Sequence, residues 1–114
     1  MISVQVPIRT YAGLNERCHW TVRAKQAKAQ RAAAWWALHA RARTPPDGRL
    51  RITMTRMGPT PGLDDDNLAG GLKSVRDGIA DWIGMDDADP RLEWVCKQAR
   101  ATRWGVQVDI EVVE

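Results

Sequence analysis

The chain has no phenylalanine and one tyrosine, yet it carries six tryptophans. Tryptophan fills a core and also stacks on bases and sugars. Six of them are too many to be ligand contacts alone, so most are expected in the core or at a subunit interface. Cysteine is scarce: Cys18 and Cys96 stand far apart, with no CxxC or Cys/His spacing. That argues against a zinc site, and nothing in the spacing calls for a disulfide. His19 and His39 have no partner motif, so Ser-His-Asp and Cys-His chemistry finds no support. The opening Met1-Ile2-Ser3-Val4-Gln5-Val6-Pro7 lacks a charged start followed by an apolar run and does not read as a signal peptide. No apolar run approaches the roughly 20 residues that span a bilayer. The default expectation is a soluble, cytoplasmic protein with no membrane partner. Acidic residues are absent from positions 17 to 46, where Arg17, Arg23, Lys25, Lys28, Arg31, Arg41 and Arg43 all fall.

Six of the 14 acidic residues instead crowd into two short stretches, Asp64-Asp65-Asp66-Asn67 and Met85-Asp86-Asp87-Ala88-Asp89-Pro90, in a chain of net charge +3. Acid and base are thus segregated. Like charges packed together repel and call for a counter-ion or open water. The sequence pI of about 9.2 points, weakly, to a polyanionic partner such as nucleic acid.

A length of 114 residues suits one domain with one modest core, residues 1–114. Ile2, Val4, Val6 and Ile8 alternate with Ser3, Gln5, Pro7 and Arg9, which predicts a strand with one buried face, and Pro7 makes it an edge strand or marks its end. Residues 11 to 17 read as a loop. Residues 20 to 43 are Ala-rich, without Pro or Gly, and predict a helix. Its apolar stripe is weak: Val22, Ala29, Ala33, Trp36 and Ala40, with Trp35 and Leu38 nearby. Trp35 and Trp36 point about 100° apart on a helix, so at most one is central in the core. The helix's positive charges are either a solvated face or a phosphate-tracking surface. Leu50, Ile52 and Met54 predict a second strand, and residues 57 to 62 a stiff Gly/Pro loop. Leu68, Leu72, Val75, Ile79 and Trp82 follow the 4, 3, 4, 3 spacing of a buried stripe, predicting a helix from Asp66 or Asn67 to about Trp82. Gly70-Gly71 weakens that helix by roughly 1 kcal/mol per glycine, so a missing side chain must be useful there. Two alternating stretches, from Leu92 and from Val106, predict closing strands. Residues 102 to 105 between them read as a hairpin connection.

The acidic clusters have the chemistry of a Mg²⁺ site, since hard divalent cations take carboxylate oxygens and keep several waters. Asp64 and Asp66, at i and i+2 of an extended segment, would point the same way. Asp86 or Asp87 joins them if the helix returns the chain to the same edge of the sheet. One Asp cluster before a helix is also a common cap. Two clusters flanking one amphipathic helix favour the metal. A calcium EF-hand is excluded, because the twelfth position from Asp64 is Val75 and not Glu, and position six is not Gly. Gly70-Gly71-Leu72-Lys73-Ser74 lacks the Walker spacing.

Asp64-Asp65-Asp66-Asn67, a helix, then Asp86-Asp87 resembles the RusA-like Holliday junction resolvases, whose pattern is Asp-x-Asp-Asn, a helix and an Asp-Asp pair. The Asn-containing segment Leu14-Asn15-Glu16-Arg17 and the order of predicted elements fit as well. The resemblance spans most of the chain, although its specific residues number about 25. It implies an α+β domain with a four-stranded mixed sheet and two helices, acting as a homodimer. It implies a Mg²⁺-dependent endonuclease (Mn²⁺ substituting) that resolves four-way or other branched DNA in recombination and repair, as in prophages. Asp64, Asp66 and Asp87 would hold the metal, with Asp65 and Asp86 as neighbours. Asn15, Arg17, Arg23, Lys25, Lys28 and Arg31 would contact DNA. The family's lysine four residues after its second Asp is replaced by Gly70, and the nearest lysine is Lys73. Lys73 either reaches back over Gly70 toward the carboxylates and a phosphate, or pairs with Asp77 at i, i+4. The other readings are a non-catalytic DNA-binding protein of this fold, a Mg²⁺-dependent phosphoesterase acting on nucleotides, and an assembly protein whose acids are only caps.

Overall fold

The structure, a computed structural model, describes residues 1–11 and 19–113. Its elements run β1 (Ile2–Val6), α1 (Trp20–Arg41), β2 (Arg49–Gly58), α2 (Asp65–Ile83), β3 (Leu92–Arg100) and β4 (Gly105–Val113). The strands form one mixed sheet of four in the order β1-β4-β2-β3. β1 and β2 pair antiparallel with β4, while β2 and β3 pair in parallel. The predicted class, α+β with a four-stranded mixed sheet and two helices, is the observed one.

The hairpin expected between the last two strands does not form. β3 and β4 lie on opposite sides of β2, with Ile52 paired to Trp94 on one side and to Ile110 on the other. Alternation alone identifies a strand but not its neighbour. β2 gains a row of inward residues, Leu50, Ile52 and Met54, all fully buried, by taking the centre of the sheet. β1 stops at Val6, one residue before Pro7, which has no N–H for a ladder.

Both helices cover one face of the sheet. Leu68, Leu72, Val75, Ile79 and Trp82 of α2 are buried as their spacing predicts, against Ile52, Met54, Val106, Val108 and Ile110. α1 is rotated from the expected stripe. Its buried residues are Gln30, Ala34 and Leu38, whereas Val22 and Trp36 are exposed and Trp35 is half-buried. The cause lies in the helix crossing. A Cβ on Gly78 would collide with the Arg31 carbonyl and press on the Ala34 methyl, so the small face of α1 must be the inward one. Trp35 and Trp36 then contact one another edge-on, and Trp35 stacks on His39.

Gly71 is buried, and a Cβ there would strike the Tyr11 backbone carbonyl, so it is Gly71 that admits the chain leaving β1. Gly84 ends α2 in the left-handed conformation at φ 84°, its N–H bonded to Ala80 O. That is the usual glycine stop.

Replacing Gly78 by alanine is expected to destabilise the protein. Overpacking against a backbone carbonyl costs roughly 1–3 kcal/mol, more than the alanine gains in helix propensity, up to about 1 kcal/mol. Urea denaturation of Gly78→Ala should show a lower midpoint at an unchanged m-value. A variant as stable as wild type would mean that the helices do not cross at this point.

Candidate functional site

α2 starts one residue earlier than its pattern suggests. Asp64 is the N-cap, its Oδ1 accepting from the Asn67 backbone N–H at 2.9 Å and from Asn67 Nδ2 at 2.9 Å. Asp65 and Asp66 occupy the first turn, where the helix dipole favours negative charge. The extended i, i+2 arrangement expected for Asp64 and Asp66 is therefore not present, because Asp66 already belongs to the helix. All three carboxylates are exposed, whereas Asn67 is buried with its Oδ1 lacking a partner.

Asp87 stands elsewhere. Its Oδ2 accepts from Lys73 Nζ at 3.0 Å and lies 3.2 Å from Arg76 Nε, an ionic contact without hydrogen-bond alignment. The Asp87 carbonyl accepts from Trp94 Nε1 at 2.8 Å and from Arg76 Nη2 at 3.3 Å. Arg76 itself lies over the Trp94 ring, 4.8 Å from its centroid. Lys73 also donates to Asp77 at 2.6 Å. Lys73 thus leans toward the C-terminal half of α2 instead of back over Gly70, and it takes both Asp77 and one of the predicted metal carboxylates. Lys73 follows Asp66 by seven residues, about 10 Å along the helix axis, and Asp87 is bound on the far side of it. Among the described residues no three His, Cys, Asp or Glu side chains are grouped to hold a metal ion. The expected convergence of Asp64, Asp66 and Asp87 is not formed.

The charges follow these partners. The Lys73 hydrogen bond holds the Asp87 carboxyl below the usual carboxylate range, with Arg76 adding to it. Hydrogen bonds to Asp77 and Asp87 raise the Lys73 ammonium.

Of the basic residues, Arg23, Lys25, Lys28 and Arg31 all lie on exposed parts of α1. Arg31 is committed to a bidentate pair with Asp81 of α2, through Nε at 2.5 Å and Nη2 at 2.8 Å. That pair lowers the Asp81 carboxyl and ties the two helices. Asn15 and Arg17 fall outside the described residues.

Sequence reasoning missed Arg76 and Trp94, which hold Asp87. Arg76 was readable as the i+3 neighbour of Lys73. Trp94 was readable only as a strand residue, since its indole N–H finds Asp87 through the β2–β3 pairing. A second missed group is Arg56 with Arg9 and Trp104. The two guanidiniums lie 5.3 and 4.9 Å from the Trp104 ring centroid.

Over 82 residues the chain is 40% identical to an uncharacterized protein of Xylella fastidiosa (strain Temecula1 / ATCC 700964), a match covering 64% of this chain and 51% of that protein. The chain thus spans about half the length of this relative. No protein-family model and no solved structure matches this chain. No helix among the described residues is long and apolar enough to cross a membrane.

Because the Asp87 pKa is depressed on folding, its contribution to stability is present above the ordinary carboxylate range and is lost as pH falls through the folded value. The raised Lys73 value works the other way, its contribution fading as pH climbs through it. In Lys73→Met, side-chain carboxyl NMR should show Asp87 titrating at higher pH than in wild type. An identical titration curve would mean that Lys73 does not engage Asp87 in solution.

Proposed function

We propose that the protein is a metal-dependent endonuclease acting on branched DNA as a homodimer, of the RusA-like kind. The observation that carries this reading is the N-terminus of α2: three exposed carboxylates beside a buried Asn67 oxygen with no partner. Mg²⁺ usually takes only one or two carboxylates from the protein and completes its shell with water and substrate phosphate. Asp64 and Asp66 fit that chemistry without a third carboxylate. They would hold the ion, which when bound would polarise the phosphate and supply an activated water.

The chain's own residues have separable tasks. Asn67 Nδ2 holds the Asp64 carboxylate in place. Lys73, with its side chain 55% exposed, keeps a positive charge beside α2 that a strand phosphate can meet in exchange for Asp77. The Arg76 and Trp94 contacts keep Asp87 anchored when Lys73 lets go. Lys25 and Lys28, on an α1 without any acidic residue, offer phosphate contacts that position the strand without reading sequence. A two-fold dimer presents one such site to each of two symmetric strands.

The second reading is a DNA-binding protein of the same fold that does not cut. It is favoured by the engagement of Asp87 with Lys73 and Arg76 in place of a shared ion.

A synthetic four-way junction separates the readings. Wild-type protein with Mg²⁺ should cut it in paired, symmetric positions. Asp66→Asn should lose about a hundredfold or more in rate, and Lys73→Ala should lose cleavage while retaining binding. Binding that falls steeply with salt but leads to no cleavage selects the second reading. A protein that neither binds nor cuts the junction would dispose of both.

A further inference from the structure

Between the exit of β1 and the outer flank of α1 lies a cavity of about 250 Å³, lined by Ile8, Arg9, Tyr11, Lys25, Ala29 and Gln30 among others. Its floor is fixed by Gln30, a buried side chain that donates to the Arg9 carbonyl at 3.0 Å. The lining combines apolar Ile8 and Ala29 with one aromatic ring and two cations. Arg9 lies over the Tyr11 ring at 5.0 Å and over the Trp104 ring at 4.9 Å. Trp104 is seated on the bare backbone of Gly58, where a Cβ would strike its ring.

Behind that ring is Arg56, on the helix-covered face of the central strand and only 4% exposed. Its Nη2 donates to Thr60 Oγ1 at 2.7 Å, and its Nε is buried with no acceptor. Burial alone acts on its acidity, pushing the guanidinium pKa down, with no carboxylate to raise it. Among the described residues, Arg9, Lys25 and Arg56 form no ion pair with a carboxylate. A buried cation without an anion is costly. Two cations on one tryptophan, with a lysine across the cavity, make a region of unbalanced positive potential next to an apolar and aromatic wall.

We propose that this cavity is a subsite for one unpaired nucleotide of a DNA strand, with Arg9 and Lys25 at the phosphate and Tyr11 stacked on the base. The aromatic wall favours an unpaired nucleotide, because only a base freed from its own stack offers a face to Tyr11. Arg56 acts from behind Trp104, supplying positive potential and holding the ring that supports Arg9. The inference rests on the DNA-binding reading above and extends it from phosphate tracking to recognition of an unstacked base. Such bases are what a branched or otherwise interrupted duplex exposes, and base–aromatic stacking contributes about 1–3 kcal/mol per base.

The test is fluorescence anisotropy with labelled d(T)8, a duplex of the same length and a four-way junction, over a salt series. Tyr11→Ala should weaken d(T)8 binding about tenfold, leave duplex binding and the salt slope unchanged, and be rescued by Tyr11→Phe. Arg9→Gln and Lys25→Gln should each weaken d(T)8 binding and lower the salt slope by about one. Arg56→Met, which replaces a buried charge by an apolar chain of similar length, should melt no lower than wild type and still bind d(T)8 less tightly. The proposal is overturned if Tyr11→Ala and Arg9→Gln bind d(T)8 as wild type does, or if Tyr11→Ala weakens duplex binding equally. Free thymidine monophosphate binding as tightly as d(T)8 would overturn the strand assignment in favour of a free nucleotide. Failure here is distinct from failure of the nuclease reading. Wild type that cuts junctions while these variants bind and cut normally removes the subsite alone. Variants that lose d(T)8 from a wild type that never cuts remove the nuclease alone.

Discussion

The parallel pairing of β2 with β3 sets the course of everything that follows β2. Two adjacent parallel strands require the chain to travel back along the sheet, and α2 makes that return. The helix must therefore be apolar on its sheet side, and Leu68, Leu72, Val75, Ile79 and Trp82 supply that stripe. It also starts beside the end of β2 and finishes beside the start of β3. The two acidic stretches sit at its opposite ends for this reason. Their separation is a property of topology, and local side-chain choice cannot undo it.

The second constraint is the crossing of the two helices. α1 has little apolar character to dictate its orientation, so the approach at Gly78 and Ala34 does so instead. Once that face is turned inward, the basic residues, Trp20 and Trp36 are turned outward. The Arg31–Asp81 pair then closes over the contact from the solvent side. An exposed ion pair of this kind contributes little on its own. It adds a polar tie to the rotation that the Gly78–Ala34 approach already sets.

What the sequence made legible follows the same division. Wherever period and composition spoke together, the elements came out as expected: β1 ended by Pro7, α2 by its stripe, and the class by the order of elements. Orientation and pairing were not legible. Val22 and Trp36 read as inward because they are apolar, but α1 faces inward with its small residues, a preference that belongs to Gly78 on another helix. The β3–β4 turn read as a hairpin because both flanks alternate, but β2 competes for β4 and wins with its own buried row. Asp64 and Asp66 were rightly placed at the mouth of α2, and their i, i+2 alignment failed because Asp64 caps the helix so that Asp66 lies within it. Lys73 had two readings, and the pairing with Asp77 is present together with an unforeseen bond to Asp87.

The acidic residues divide by the company they keep. A carboxylate held by Lys73 and Arg76 is already neutralised, and a divalent ion would have to displace both cations to use it. The carboxylates at the start of α2 face no such competitor among the described side chains, and the helix dipole supports their charge. The fold thus assigns its acids two different roles. Asp87 and Asp81 are structural anions that fasten α2 to its neighbours through Lys73, Arg76 and Arg31, while Asp77 holds Lys73 within the helix. Asp65 and Asp66 remain charges without a cation of their own, next to Asp64 and the orphaned oxygen of Asn67. Arg56 is the converse, a buried cation held by Thr60 and the Trp104 ring with no carboxylate beside it among the described residues. Among the described residues, the fold thus leaves one anionic cluster and one buried cation without a counter-charge.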